Sequence, residues 1–180
     1  MAFVHLHNHT EYSLLDGATK VYDMVKRAAD LGMPAVAITD HGVMSGVPEL
    51  ADACDKVKAE TGTWVKPIFG CEIYFTTDSS LKKEGKQKLH HMILLAKNNT
   101  GYHNIVKLVS ESHVDNFYYR PRTTFEMLEK YSEGVIATSA CIAGIIPRCV
   151  DAGKIIGLDR RYALEMVQAG DVTVEYDKLI

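Results

Sequence analysis

Residues 35–42 read AVAITDHG, and the fold follows from how this octet is understood. Its first five residues form a short apolar run, as in a strand covered on both faces. Asp40 and His41 come immediately after it, and Gly42 closes the segment as a turn residue. Upstream, Val21, Met24, Val25, Ala28 and Leu31 recur at helical spacing. Thr19 is placed to cap that helix, and Gly32 with Pro34 stops it. Downstream, a second helix is expected from Val47 to Glu60, with Leu50, Ala53, Cys54 and Val57 on one side. The octet is therefore a strand between two helices.

The same alternation extends in both directions. Phe3 to His7 alternates apolar and polar residues, the period of a short strand. Lys66 to Phe75 (KPIFGCEIYF) is the next strand, and the polar, Lys-rich stretch 78–88 reads as an exposed loop. His91 to Ala96 is strand-like, and Tyr102 to Ser112 is helical. Thr123 and Glu126 make a T-x-x-E capping box for a short helix ending at Tyr131. Gly134 to Thr138 is a further strand. The pattern predicts an α/β fold with a mostly parallel sheet and helices packed outside it.

The chain has 180 residues, 47% hydrophobic and 24% charged, a composition that excludes disordered and collagen-like classes. It carries no linker, no internal repeat and no apolar run near the ~18 residues that cross a bilayer. His5, His7 and His9 stand where a signal peptide would have a basic start and an apolar run, so the cytoplasm is the expected location. The net charge of −3 argues against binding nucleic acid through a broad basic surface. A phosphate-bearing ligand must then be met by a local feature. Four cysteines lack CxxC spacing and read mainly as buried thiols.

Candidate metal donors recur where strands end. His7 and His9 close the first strand at i and i+2, which share a face. Asp16 lies in the loop that follows, and Asp40 and His41 follow the second strand. Glu72 lies late in the third, His91 opens the fourth, and Cys141 follows the fifth. Each has an ordinary reading: a surface histidine, a turn aspartate, a core thiol. Glu72, between Cys71 and Ile73, resists it, because a carboxylate in an apolar strand is costly to bury unless paired or metal-bound. Mixed His, Asp and Glu donors suit Zn2+ or Mn2+ better than Mg2+ or Ca2+. Adjacent ions of that kind bridge a phosphate and stabilise its leaving oxygen.

HLHNHTEYSLLDG (5–17), AITDHG (37–42), GCE (70–72) and HHMILLAKNNTGYHNIVKL (90–108) together resemble the PHP domain, named for polymerase and histidinol phosphatase. FYYRPR (117–122), LEKYSEGVIATSACIAG (128–144) and the LLDG loop are most similar to the N-terminal PHP domains of bacterial DNA polymerase III alpha subunits. The resemblance implies a distorted (β/α)7 barrel, incomplete here, with a metal cluster at one rim. It implies residues 1–153 as the PHP portion and 154–180 as an unmatched tail, read locally as a helix (158–168) and a strand (172–176). No histidine follows Cys141, so the D-x-H motif that the family places in a later strand is missing. The polymerase palm, fingers and thumb are missing as well, so DNA-directed DNA polymerase activity would belong to a parent protein.

By the same resemblance, the metal ligands are His7, His9, Asp16, His41, Glu72, His91 and Cys141, with Asp40 orienting the site from behind. His90 and His5 are the disfavoured neighbours. Two or three Zn2+ or Mn2+ ions are implied in a complete domain. Arg120 and Arg122 are candidates to touch a nucleic-acid phosphate. The implied activity is metal-dependent phosphodiester hydrolysis, a 3′–5′ exonuclease acting on a DNA primer terminus, with other alpha-subunit domains and replisome proteins as partners. Two alternatives stand beside it: a non-catalytic docking module, and a small-molecule phosphoesterase of histidinol-phosphatase type.

Overall fold

The computed structural model describes residues 3–14, 16–77, 80–81 and 88–151, with side chains through residue 148. The elements are α1 (Val21–Asp30), β1 (Ala35–Ile38), α2 (Val47–Thr61), β2 (Lys66–Phe75), β3 (His90–Ala96) and α3 (Asn99–Val114). After them come β4 (Phe117–Tyr118), β5 (Arg120–Thr123), α4 (Phe125–Lys130), β6 (Val135–Thr138) and α5 (Ile145–Asp151). The helix and strand expected in the tail lie outside the described residues.

The ten-residue β2 organises the sheet. One edge of β2 pairs in parallel with β1, from Ala35 opposite Lys66 to Ile38 opposite Phe69. Further along the same edge, Tyr74 and Phe75 pair in parallel with Arg122 and Thr123 of β5. A single bridge from His41 to Glu72 fills the interval. The other edge carries β3 in antiparallel register, and β6 lies antiparallel beyond β3. The strand order β4-β5-β2-β3-β6 stays open among the described residues, as in an incomplete barrel.

The sheet is thus mixed, not mostly parallel. A parallel neighbour needs a crossover connection, usually a helix. No helix is described between β2 and β3, and β3 runs back alongside β2. The strand expected at Phe3–His7 is reduced to one parallel bridge, His5 to Val36. Asn8 displaces the ladder there: its amide side chain donates to the His5 and Ala37 carbonyls, and its backbone N–H donates to Thr39 Oγ1. The first helix takes Lys20, not Thr19, as its N-cap, without a side-chain cap. Thr124 likewise replaces Thr123 as N-cap of α4, because Thr123 is the last residue of β5.

Strand periodicity divides the core into two faces. On the outer face, Val36 and Ile38 of β1 pack with Val21 and Val25 of α1 and with Leu50 and Val57 of α2. Cys71, Ile73, Phe75, Met92 and Leu94 pack with Ile105 and Leu108 of α3 and Met127 of α4. The inner face holds Ala37, Ile93 and Leu95, with Ile68 and Ile136 against them. Glu72, Tyr74 and His91 share the parity of this inner set. No helix of the described residues is long and apolar enough to cross a membrane.

Candidate metal centre

The inner face ends in a cluster built around one carboxylate. Glu72 is fully buried, at 0% exposure, and both of its oxygens are engaged by imidazoles. Oε2 lies 2.8 Å from His7 Nε2 and 2.8 Å from His9 Nε2, and those two nitrogens are 3.0 Å apart. Oε1 lies 2.5 Å from His91 Nδ1. His41 presents Nδ1 to Glu72 Oε2 at 3.7 Å and Nε2 to Asp16 Oδ2 at 2.5 Å. The rings of His9 and His41 stack at 4.1 Å and 7°. Sulfur enters at the edge, with Cys141 Sγ 3.7 Å from His91 Nδ1.

Sequence places these residues through simple geometry. Cross-strand pairing sets Tyr74 opposite His91 and Glu72 opposite Ile93, so Glu72 and His91 are diagonal neighbours on one face. His90 has the opposite parity and is buried on the other side. Because β3 runs antiparallel to β2, its first residues lie at the rim where parallel strands end. That direction explains how a histidine opening a strand meets donors that follow one. Gly42, at φ +64°, makes the turn directly after His41, and a Cβ there would lie 2.8 Å from Pro121 Cγ.

Asp40 has a different task from the histidines. Its buried carboxylate accepts hydrogen bonds from Thr10 N at 2.6 Å, Thr10 Oγ1 at 2.8 Å and Ser13 Oγ at 2.7 Å. Ser13 Oγ also accepts from the His41 N–H at 3.1 Å. Asp40 therefore fixes the loop carrying His9 and Asp16, and neither oxygen is hydrogen-bonded to an imidazole. Thr10, Ser13 and Tyr74 are parts of the site that sequence reasoning missed. Tyr74 was legible in principle, two residues after Glu72 on the same face.

The two arginines separate. Arg122 is 1% exposed, and its guanidinium donates to the carbonyls of Asn116 and Leu81, each at 2.9 Å. The expected surface contact with a phosphate is corrected here: that side chain is a buried clamp on backbone oxygens. Arg120 is exposed and lies over the Tyr74 ring, 5.3 Å from its centroid. The Tyr74 ring stacks beside His41 at 5.8 Å and stands edge-on to His91 at 5.4 Å.

Burial alone pushes the Glu72 carboxyl up, but contacts from His7, His9 and His91 outweigh it and hold the group well below the ordinary carboxylate range. The Glu72 contact raises His9, whereas burial lowers His41. Burial also keeps the Cys71 thiol protonated and pushes Cys54 up to about 11, which makes both inert core residues.

Three overlapping donor groups emerge: His7–His9–Glu72, His9–Asp16–His41 and His41–Glu72–His91. Donors around a tetrahedral ion at ~2.0–2.1 Å stand a little over ~3 Å apart, close to the spacing of the first group. Nδ1 of His9 and Nδ1 of His41 are buried without a hydrogen-bond partner among the described residues. Borderline nitrogen donors, a shared carboxylate and orphaned imidazole nitrogens fit divalent metal ions.

The family model for the PHP domain matches residues 5–180. The chain belongs to the PHP domain family. DNA polymerase III subunit alpha of Borreliella burgdorferi is 47% identical over 156 residues, covering 84% of this chain and 13% of that protein. Its counterpart in Aquifex aeolicus is 44% identical over 151 residues, covering 79% of this chain and 12% of that protein. The PHP domain chain thus spans about an eighth of the length of these relatives. A crystal structure from Bifidobacterium adolescentis, provisionally named a metal-dependent phosphoesterase, aligns over 98% of this chain and 58% of that one. Its identity is 21% and its TM-score 0.42, too slight a likeness to argue from. The PHP match continues past residue 153, where the sequence suggested a boundary, into residues outside the described set.

Proposed function

We propose that this PHP domain hydrolyses phosphodiester bonds at the 3′ end of a DNA strand, as the proofreading exonuclease of a cytoplasmic DNA polymerase III alpha subunit. His7, His9, Asp16, His41, Glu72, His91 and Cys141 would hold two or three ions, Zn2+ or Mn2+. Supporting this is the convergence of His7, His9 and His91 on the two oxygens of the buried Glu72. Bound ions of this kind polarise a phosphodiester and stabilise charge on its leaving oxygen.

The chain's own residues prepare that chemistry. Glu72 supplies negative charge to both sides of the cluster, and His7, His9 and His91 aim ring nitrogens at it. Asp16 fixes the tilt of His41 through Nε2. Asp40 immobilises the loop between them, so little reorganisation is needed when substrate arrives.

The test is metal content of the purified full chain, by mass spectrometry, alongside hydrolysis of a 5′-labelled single strand. Two or more ions per chain, stepwise 3′ shortening, and loss of both in Glu72→Gln are expected. Ions without any shortening select a docking module stabilised by metal, a second reading favoured by the open edge of the sheet. Turnover of a phosphomonoester alone selects the small-molecule phosphoesterase.

A further inference from the structure

Tyr119 is the single residue between β4 and β5, where Tyr118 pairs with Arg120 and Phe117 with Pro121. Its φ is +58°, a left-handed conformation that a bulky residue adopts at a cost and that Gly or Asn would suit better. The ring gains little burial in return: it is 82% exposed, and among the described residues its one aromatic contact is Tyr118, edge-on at 4.6 Å. Phe117 beside it is 47% exposed. The next residue, Arg120, lies over Tyr74, which lines the histidine cluster. A strained backbone thus displays an aromatic ring to solvent, and the exposed guanidinium of the next residue lies over the ring that borders the cluster.

We propose that this turn is the docking platform for a single-stranded nucleic acid, with a base stacked on Tyr119 and a backbone phosphate met by Arg120. The inference rests on the phosphodiester reading above and specifies its substrate as a single strand. Stacking on an exposed aromatic beside a cation tolerates any base, as trimming a strand end requires. It also supplies a positive charge close to the cluster in a chain of net charge −3. Arg122, clamped on the carbonyls of Asn116 and Leu81, serves the turn by holding β5 in place.

The test is fluorescence anisotropy of a 5′-labelled oligothymidylate with nuclease-resistant phosphorothioate linkages at its 3′ end, bound to the full chain. Tyr119→Asn removes the ring while suiting the left-handed backbone, and is expected to weaken binding by about fivefold or more. Tyr119→Phe should bind like wild type. Arg120→Gln should flatten the log–log salt dependence by about 0.7, the share of one phosphate contact on a single strand. Equal affinity for wild type and Tyr119→Asn overturns the proposal. So does absence of binding by wild type, which would leave the turn facing another protein segment. Hydrolysis of bis(p-nitrophenyl) phosphate by wild type reports on the cluster alone. Its absence defeats the phosphodiester reading, while the anisotropy still decides this one.

Discussion

Asp40 and Thr10 are joined twice, since one carboxylate oxygen accepts from the Thr10 N–H at 2.6 Å and the other from its hydroxyl at 2.8 Å. This pair fastens the histidine-bearing loop to the end of β1. It makes loop position a property of a buried carboxylate that touches no imidazole.

Asp40→Ala leaves the Thr10 N–H and the Ser13 hydroxyl buried without their acceptor. Each such loss costs about 1–3 kcal/mol. Urea denaturation should show destabilisation of about 3 kcal/mol, and metal content should fall although no proposed ligand has changed. Full metal occupancy in a folded Asp40→Ala protein would show that the loop holds its shape unaided.

Gly42→Ala tests the turn behind His41. A residue with a Cβ pays about 1–2 kcal/mol at a left-handed φ. The new atom also presses on Pro121 and Tyr74. The expected result is a melting temperature lower by several degrees, at about 2–4 °C per kcal/mol for a chain of this size. Gly62→Ala is the control, since its φ is similarly positive and open space surrounds it. It should lose stability without losing metal.

Cys141 and Asp16 should differ from Glu72 in what their removal does. Among the described residues each makes one side-chain hydrogen bond to the cluster, whereas Glu72 meets four histidines. Cys141→Ala and Asp16→Ala are each expected to lose at most one ion per chain, and Glu72→Gln to lose all. Mass spectrometry of the three proteins side by side decides it, and an intact count in Glu72→Gln would contradict the central role given to that carboxylate.

Acid should weaken the junction of α3 and α4. Lys130 and Tyr131 donate to Glu111 at 2.8 Å and hold its carboxyl below its ordinary value of 4.5. A depressed carboxyl stabilises the fold above its unfolded value and loses that contribution as pH falls through its folded value. Wild type should therefore exceed Glu111→Gln in urea midpoint at pH 7. The two midpoints should converge below about pH 4. A gap that persists in acid would assign the effect to packing.

Much of this arrangement was legible in the residues. Lys66–Phe75 was expected as a strand and is one, because an apolar run with a Pro near its start and a polar stretch after it has few alternatives. Glu72 stood out because a carboxylate between Cys71 and Ile73 needs partners, and its burial with four histidines supplies them. The direction of β3 was not legible, since period-two patterning is the same whichever way a strand runs. Tyr119 escaped notice because a one-residue reversal normally announces itself with glycine. Arg122 was misjudged because sequence does not show that two backbone carbonyls wait for its guanidinium.

Alternate residues of β2 answer to different masters. Cys71, Ile73 and Phe75 lie beneath α3 and α4, while Glu72 and Tyr74 face the donor cluster. A saturation library across residues 71–75 should read as two interleaved texts: Cys71, Ile73 and Phe75 tolerant of any apolar residue of similar volume, Glu72 and Tyr74 tolerant of almost nothing for activity yet forgiving for abundance. The strand also has no neutral way to shift register by one step, since that exchange would put a thiol where the carboxylate belongs and a charge under the helices. Inheritance of the fold and inheritance of the chemistry are thereby written on the same half of one strand.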